Sequence, residues 1–247
     1  MTNVQERLEK HYKRAVEHYG QEAVLGVFLY GSFNYNTSTP DSDVDTKCIL
    51  IPNLYSLAIH PYEVKHLHVD DEVCECMSIM HMVANWKKQN INFVEIMFTD
   101  YCIINPAYEE KWYRCLTEID REEIARYDLK AAVLSMSHQA IRTIKQDPTD
   151  LKKIMNATRI MHTLKRLLSE PDSSYKDIIR VPEYVAQIRT CKQPAGEGYV
   201  VSLLEYFENT IAMAEDMEVD KPYQRALDTF LEMLILELIE YRLEVIG

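Results

Sequence analysis

Glycine is scarce in this sequence, with six residues among 247, whereas glycine makes up about 7% of an average protein. Two common nucleotide-binding elements depend on closely spaced glycines, the P-loop (GxxxxGK[ST]) and the Rossmann phosphate turn (GxGxxG). Neither pattern occurs in the chain. Both elements are therefore excluded, and any phosphate site has to be built in another way.

Positive charge is also in short supply. The chain has 27 lysines and arginines against 39 aspartates and glutamates, which gives a formal net charge of −12. Because the phosphate backbone of nucleic acids attracts cationic surfaces, so acidic a chain is not expected to coat RNA or DNA non-specifically. A contact with RNA would need a local basic patch.

The sequence lacks long apolar runs. Its most apolar segment, residues 227–246, carries six charged side chains, too many for a helix that spans a bilayer. The first residues form a polar stretch rather than the apolar core of a signal peptide, and the six cysteines are scattered. We therefore expect a cytoplasmic protein with reduced thiols and no membrane partner.

Hydrophobic patterning divides the chain in two. Apolar runs and alternating segments in the first hundred residues predict a small mixed sheet with flanking helices, whereas the second half shows helical spacing. We predict a nucleotide-site domain of α/β (α+β) class over residues 1–110 and an all-helical domain over residues 111–247. The predicted strands are 24–30, 44–51, one or two within 64–77, and 93–98; the predicted helices are 2–19, 79–90, 120–146, 149–169, 200–216 and 222–245.

An acidic motif follows the first predicted strand. Gly31 and Ser32 end that strand, and after a spacer of ten residues Asp43 and Asp45 open the next one. Alternate residues of a strand face the same side, so the two carboxylates lie together and repel each other unless a cation lies between them. Their oxygens suit Mg²⁺ or Mn²⁺, with substrate phosphates completing the coordination.

The glycine and the serine supply the phosphate site in this interpretation. Gly31 has no Cβ and lets a phosphate approach the backbone, and Ser32 offers its hydroxyl and its N–H as donors. A triphosphate would then lie next to its metal ions, as in-line attack at phosphorus requires. An isolated Asp-x-Asp in a polar loop is usually a solvated turn; the combination with Gly-Ser between two apolar strands favours a nucleotide site.

This combination of strand, Gly-Ser, short spacer and Asp-x-Asp resembles the DNA-polymerase-β-like nucleotidyltransferase superfamily over about residues 20–100. The Gly-Ser-x-x-Tyr and Thr-Pro-Asp-Ser-Asp details are most similar to the phage and bacterial branch that is associated with RNA repair. That branch commonly has glycine where this chain has Asn36. Because asparagine tolerates the left-handed backbone conformation, we expect the turn to be kept.

The resemblance implies a third carboxylate on a later strand. Glu75 lies in a predicted strand that leads into a helix, as the strand with the third acid does in the superfamily. We therefore predict Glu75 as the third catalytic acid and metal ligand, with Glu95 as the alternative. A buried Glu95 would need a polar partner in any case, and orienting Lys47 or a basic residue of the helical domain is its other interpretation.

Two basic residues complete the predicted nucleotide site. Lys47 faces the same side of its strand as the aspartates, where it either neutralises phosphate or pairs with them. Arg159 or Lys152, on the polar face of the helix over 151–168, is predicted to bind the β- and γ-phosphates or an acceptor phosphate. An ordinary solvated face is the alternative. The basic residues of this face are Lys152, Arg159, His162 and Arg166.

Taken together, the residues and the resemblance predict a metal-dependent nucleotidyltransferase that moves a nucleoside monophosphate from an NTP such as ATP to an acceptor and releases pyrophosphate. The resemblance implies an RNA end as the acceptor. An aminoglycoside or a protein is the alternative, since an acidic cleft attracts a cationic antibiotic. A catalytically silent binding protein of the same fold is the alternative from another class. The apolar face of the last helix suits a homodimer interface as well as an internal core.

Overall fold

The computed structural model describes residues 4–39, 42–118, 121–193, 195–219 and 221–246. Pro40 and Asp41, in the predicted spacer, lie outside the described residues. The strands are β1 Val24–Leu29, β2 Thr46–Leu50, β3 Val64–Val69, β4 Glu72–Ser78 and β5 Cys102–Ile104. The helices are α1 Val4–Tyr19, α2 Ser32–Tyr35, α3 Leu54–Ile59, α4 Ile79–Lys87, α5 Ile91–Val94, α6 Pro106–Glu118, α7 Arg121–Ala125, α8 Leu129–Gln146, α9 Leu151–Ser169, α10 Tyr175–Ile179, α11 Glu183–Gln187, α12 Glu197–Glu215 and α13 Lys221–Ile246.

The five strands form one mixed sheet in the order β3-β4-β2-β1-β5. β2 and β4 are parallel, and the other neighbours are antiparallel. The β2–β4 pairing places Lys47 opposite Glu75. This sheet, its flanking helices and the helical second half confirm the predicted fold class.

The two faces of the sheet are covered by different parts of the chain, because alternate strand residues point to opposite sides. One face packs under α1 and includes Val27, Cys48, Cys74 and Cys76. These three cysteines are buried as free thiols. The opposite face, with residues such as Phe28, lies under α4 and the helical region.

The helical second half shares a core with the sheet. One buried apolar cluster runs from Leu25 in β1 to Ile239 in α13. Leu231, Leu234 and Leu238 of α13 are buried within the same chain. The division at residue 110 stays a prediction. None of the helices in the described parts of the chain combines the length and the hydrophobicity that a membrane crossing needs.

The strand predicted over 93–98 is wrong. The segment consists of α5 followed by a 3-10 turn over Glu95–Met97. Asn90 caps α5 by accepting the N–H of Asn92 at 3.2 Å. Residues 93–98 are all buried, so polar and apolar residues do not alternate along this segment. Its pattern therefore fits a buried strand and a short buried helix equally well. Glu95 consequently lies on a helical turn and not on a strand.

Candidate active site

A tight turn connects β1 to α2. Gly31 has a φ of 88°, which favours glycine over residues with a side chain. A Cβ at Gly31 would also lie 3.0 Å from Oδ2 of Asp45. α2 ends at Asn36 in the left-handed conformation, with φ 63° and ψ 35°. The expectation that asparagine keeps this turn is therefore confirmed.

Asp43 and Asp45 lie in an extended segment directly before β2, beside that turn. The N–H of Tyr30 donates to the carbonyl of Asp45 at 3.0 Å, which holds the segment against the end of β1. Val44, between the two aspartates, is buried, while both aspartates are exposed. The alternation of burial therefore places both aspartates on the exposed side of this segment, which precedes β2 rather than opening it.

A polar cluster that the sequence did not indicate anchors this acidic segment from the opposite face. Glu72 accepts the N–H of Val44 at 2.7 Å and the Nε of Arg7 at 3.1 Å. His11 contacts Thr46 Oγ1 at 2.6 Å and Glu72 at 3.3 Å. Helix α1 thus fixes where β2 begins, and with it the position of the two aspartates.

The electrostatics of the acidic pair fit a divalent cation. Desolvation, and then the negative charge of Asp43, raises the pKa of Asp45 above its usual value; Lys152 acts in the opposite direction. Two carboxylates that disfavour each other's ionisation suit a bound cation, and one or two carboxylates with phosphate oxygens are how proteins commonly hold Mg²⁺. The donor set of Asp43 and Asp45 therefore fits Mg²⁺ or Mn²⁺.

Glu75 is paired with Lys47. The Nζ of Lys47 lies 2.5 Å from Oε2 of Glu75 and is 3.8 Å from the centre of the Tyr30 ring and 4.4 Å from that of Phe93. Lys47 is 2% exposed. Within the described residues, no group of three or more histidine, cysteine, aspartate or glutamate side chains lies close enough to hold a metal ion. Glu75 and the two aspartates do not form such a group here, although the charge of Glu75 also raises the pKa of Asp45.

Glu95, the alternative third acid, is fully buried and has three donors. Its Oε2 accepts the N–H of Gly31 at 3.1 Å and Nδ2 of Asn34 at 3.0 Å. Its Oε1 accepts the hydroxyl of Tyr35. Burial raises the pKa of Glu95 to about 7, against the effect of these hydrogen bonds and of the positive charge of Arg159. Both carboxylate oxygens are thus used to hold the turn after β1.

Arg159 of α9 lines the same cleft as the two aspartates and is buried, with 5% of its surface exposed. Its guanidinium carbon lies 3.8 Å from the centre of the Tyr35 ring. Nε and Nη1 are buried and have no hydrogen-bond partner among the residues that the structure describes. Leaving such donors unpaired costs about 1–3 kcal/mol each. The alternative that Arg159 lies on an ordinary solvated helix face is therefore wrong. Its Nε and Nη1 are available to donate to an acceptor.

The other members of the basic stripe have separate surroundings. Lys152 lines the same cleft as Arg159. His162 contacts the hydroxyl of Tyr184, and Arg166 pairs with Glu170 at 2.9 Å. The four basic residues of this helix face therefore do not form one binding surface. The two that line the cleft, Lys152 and Arg159, are the two that were predicted to bind phosphate.

A cleft of about 300 Å³ brings most of the predicted site together. Lys47 and Glu75 are not part of its lining. The lining also includes the polar residues Gln139, Asn156 and Arg189. No motif or spacing in the sequence identifies them as site residues. The predicted residues that line the cleft are Gly31, Ser32, Asp43, Asp45, Lys152 and Arg159.

A comparison with protein families identifies the part of the chain that holds the acidic motif. Residues 8–94 match the family model described as "Nucleotidyltransferase domain", and Glu95 and Arg159 lie outside that match. Among curated proteins, none matches the chain. The sheet, the Gly-Ser turn and the Asp-x-Asp segment all lie within or beside the matched residues. Over residues 8–94 the chain is accordingly similar to nucleotidyltransferase domains.

Proposed function

We propose that this chain is a metal-dependent nucleotidyltransferase that moves a nucleoside monophosphate from an NTP to an acceptor. The observation that carries the proposal is the buried Arg159, with two unpartnered donors, in the same cleft as Asp43 and Asp45. The lining of one cleft thus offers carboxylates for a metal and cationic donors for phosphate. A triphosphate with its metal ion needs both.

Each predicted residue has a role in this proposal. Asp43 and Asp45 hold Mg²⁺ or Mn²⁺, which when bound would neutralise charge on the phosphates and stabilise the attacking and leaving oxygens. Gly31 and Ser32 receive the triphosphate beside the acidic pair. Arg159 binds its phosphate oxygens through Nε and Nη1. Lys152 adds positive charge from the same helix.

The reaction is a substitution at the α-phosphorus. An acceptor oxygen forms a bond to that phosphorus, and the bond from phosphorus to the oxygen bridging the α- and β-phosphates breaks. Pyrophosphate leaves with the electron pair of the broken bond. The proton of the acceptor passes to a carboxylate of the site or to water. Orientation of the two reactants and stabilisation of the developing charge are what the cleft contributes.

Glu75 stays our proposal for the third acid. Glu95 has both of its oxygens occupied by donors from the turn, whereas the side chain of Glu75 is about 30% exposed and is paired with Lys47. A Glu75 that exchanged Lys47 for a metal ion would leave Lys47 free to neutralise phosphate. If Glu75 left Lys47 to bind the metal, Glu75 would act as the metal ligand and Lys47 as the phosphate contact.

We propose an RNA end as the acceptor, as in the RNA-repair branch that the motif resembles. Three basic residues line the cleft, Lys152, Arg159 and Arg189. They favour an anionic acceptor over a cationic aminoglycoside, even though the chain as a whole is acidic. With a net charge of −12, the RNA contact is confined to the cleft rather than spread over the surface.

The experiment is a label-transfer assay. Each of the four α-labelled NTPs is incubated with the protein, Mg²⁺ and one of three acceptor sets: RNA, a protein extract or an aminoglycoside panel. We expect label on RNA, with release of pyrophosphate, and none with the Asp43→Asn/Asp45→Asn variant. Label on an aminoglycoside or a protein would retain the transferase and replace the acceptor. No transfer to any acceptor, with NTP binding unchanged in the double variant, would favour a silent binding protein.

A further inference from the structure

Tyr35 connects the nucleotidyltransferase domain to the helical region at the cleft. Its hydroxyl donates to Glu95, and its ring lies under the guanidinium of Arg159. Its backbone carbonyl accepts the N–H of Val181 at 3.1 Å. Its hydroxyl, its ring and its backbone carbonyl thus each have a partner, and the residue lines the cleft.

Arg159 is a buried cation whose charge is not neutralised by direct contact. Among the residues that the structure describes, it forms no ion pair, and two of its nitrogens lack any hydrogen-bond partner. A buried charge without compensation is costly. The electron-rich face of the Tyr35 ring offsets part of that cost, and behind the ring lies the buried carboxylate of Glu95.

We propose that Glu95 is a positioning residue for the nucleotidyl transfer proposed above: acting through Tyr35, it holds Arg159 in place and supports its charge without using its N–H donors. A direct ion pair would have consumed the donors that a phosphate needs. With Tyr35 in between, Nε and Nη1 stay available. The second oxygen of Glu95 accepts the N–H of Gly31, so one carboxylate fixes both the Gly-Ser turn and Arg159.

The inference rests on the proposed function, because it assigns Arg159 to the phosphates of an NTP. It goes beyond the family match, which ends at residue 94 and includes neither Glu95 nor Arg159. It also gives Glu95 a role other than that of a third metal ligand. A positioning role through Arg159 has a specific signature: its loss weakens nucleotide binding much more than turnover, and only while Arg159 is present.

The test is a mutant cycle on nucleotide binding. Tyr35→Phe keeps the ring under Arg159 and removes the hydroxyl, which donates to Glu95 and also lies 3.4 Å from Oδ1 of Asn92. Glu95→Gln keeps the shape of the side chain and removes its charge. The matched control is Tyr108→Phe, which removes another buried tyrosine hydroxyl, the donor to the carbonyl of Glu22; neither residue is among those that line the cleft. Kd for each NTP with Mg²⁺, KM and kcat are measured for all variants and for Arg159→Ala.

We expect Tyr35→Phe and Glu95→Gln each to raise Kd and KM for the NTP about threefold to tenfold, with kcat within about twofold of the wild type. Tyr35→Phe added to Arg159→Ala should cost nothing further, because the residue that it positions is gone. Tyr108→Phe should bind nucleotide as the wild type does. If Glu95→Gln does not fold, Tyr35→Phe alone carries the test.

Three outcomes would overturn the inference. Wild-type affinity in both Tyr35→Phe and Glu95→Gln would do so, and so would an equal loss from Tyr35→Phe with and without Arg159. In those cases a wild-type protein that binds and transfers nucleotide retains the proposed function. A wild-type protein that binds none of the four NTPs overturns the proposed function itself, and the inference with it.

Discussion

The guanidinium carbon of Arg159 lies 3.8 Å from the centre of the Tyr35 ring, although 124 positions separate the two residues in the chain. Tyr35 belongs to α2, directly after the Gly-Ser turn, and Arg159 belongs to α9 of the helical region. Both residues line the cleft that also contains Asp43 and Asp45. The helical region therefore contributes a residue, Arg159, to the candidate site.

Removal of the Arg159 side chain should weaken nucleotide binding without lowering stability. Hydrogen bonds to a charged group contribute about 1.5–3 kcal/mol, so we expect Arg159→Ala to raise Kd for an NTP roughly 10- to 100-fold. The melting temperature should not fall, because the variant removes a buried charge with two unpaired donors. Binding titrations and thermal melts of the same samples test both statements.

The matched control for that variant is Arg166→Ala. Arg166 lies on the same helix, but it pairs with Glu170 and does not line the cleft. We expect it to bind nucleotide like the wild type. An equal loss of affinity in the two variants would mean that the positive charge of α9 matters and the position of Arg159 does not.

The acidic pair should show opposite effects on stability and on catalysis. Because desolvation and Asp43 raise the pKa of Asp45, its ionised form is disfavoured in the folded protein without a metal, and this penalty grows as the pH rises through the folded-state pKa. Asp45→Asn should therefore raise the melting temperature at pH 7.5 in the presence of EDTA and abolish transfer in the presence of Mg²⁺. A variant that melts lower than the wild type in EDTA would contradict the repulsion.

The titration of Glu95 should appear in the pH dependence of stability. Its pKa is about 7 in the folded protein, against a usual value of 4.5, so the native state binds more protons than the unfolded chain at intermediate pH. The free energy of unfolding therefore falls as pH rises from about 4.5 to 7, by about 3 kcal/mol at most. Burial raises the pKa of this carboxyl, while hydrogen bonds from Tyr35, Asn34 and Gly31 and the positive charge of Arg159 lower it.

Urea unfolding of the wild type and of Glu95→Gln at pH 5, 6, 7 and 8 measures this contribution. The glutamine variant should gain stability relative to the wild type across the series, because it has no proton to lose. A difference between the two proteins that stays constant from pH 5 to pH 8 would show that Glu95 does not titrate in this window.

The Lys47–Glu75 pair allows a structural role to be separated from a catalytic one. Glu75→Gln leaves Lys47 buried without its carboxylate, which we expect to cost about 3 kcal/mol or less, since Glu75 is partly exposed. Lys47→Met combined with Glu75→Gln should restore most of that stability. If the restored double variant still transfers no nucleotide, Glu75 or Lys47 takes part in the reaction; wild-type turnover would assign the pair to folding alone.

The sequence predicted the elements whose signals are local. The apolar run of β1, the Gly-Ser turn and the spacing of Asp43 and Asp45 each depend on neighbouring residues, and all appear where the patterns indicate. The preference of asparagine for the left-handed conformation was enough to predict the turn at Asn36. The start of β2 is anchored by Arg7 and Glu72, which no local pattern connects.

The sequence-based predictions were wrong where tertiary contacts determine the burial or the secondary structure of a residue. Helical periodicity places Arg159 off the apolar face of α9, yet the structure buries it because the helix is covered on more than one side, by α8, α10 and α12 among others. The segment around Glu95 has no alternation to distinguish a helical turn from a strand. Glu95 accepts the N–H of Gly31, a residue 64 positions earlier in the chain. This contact depends on how α5 packs against the Gly-Ser turn.

The most direct measurement is calorimetric titration of the protein with an NTP analogue that cannot release pyrophosphate, with and without Mg²⁺. We expect Mg²⁺-dependent binding by the wild type, loss of the Mg²⁺ dependence in Asp43→Asn/Asp45→Asn, and a roughly 10- to 100-fold lower affinity in Arg159→Ala. A wild type that binds no analogue of the four NTPs, or an Arg159→Ala variant that binds as tightly as the wild type, would contradict the proposed nucleotide site.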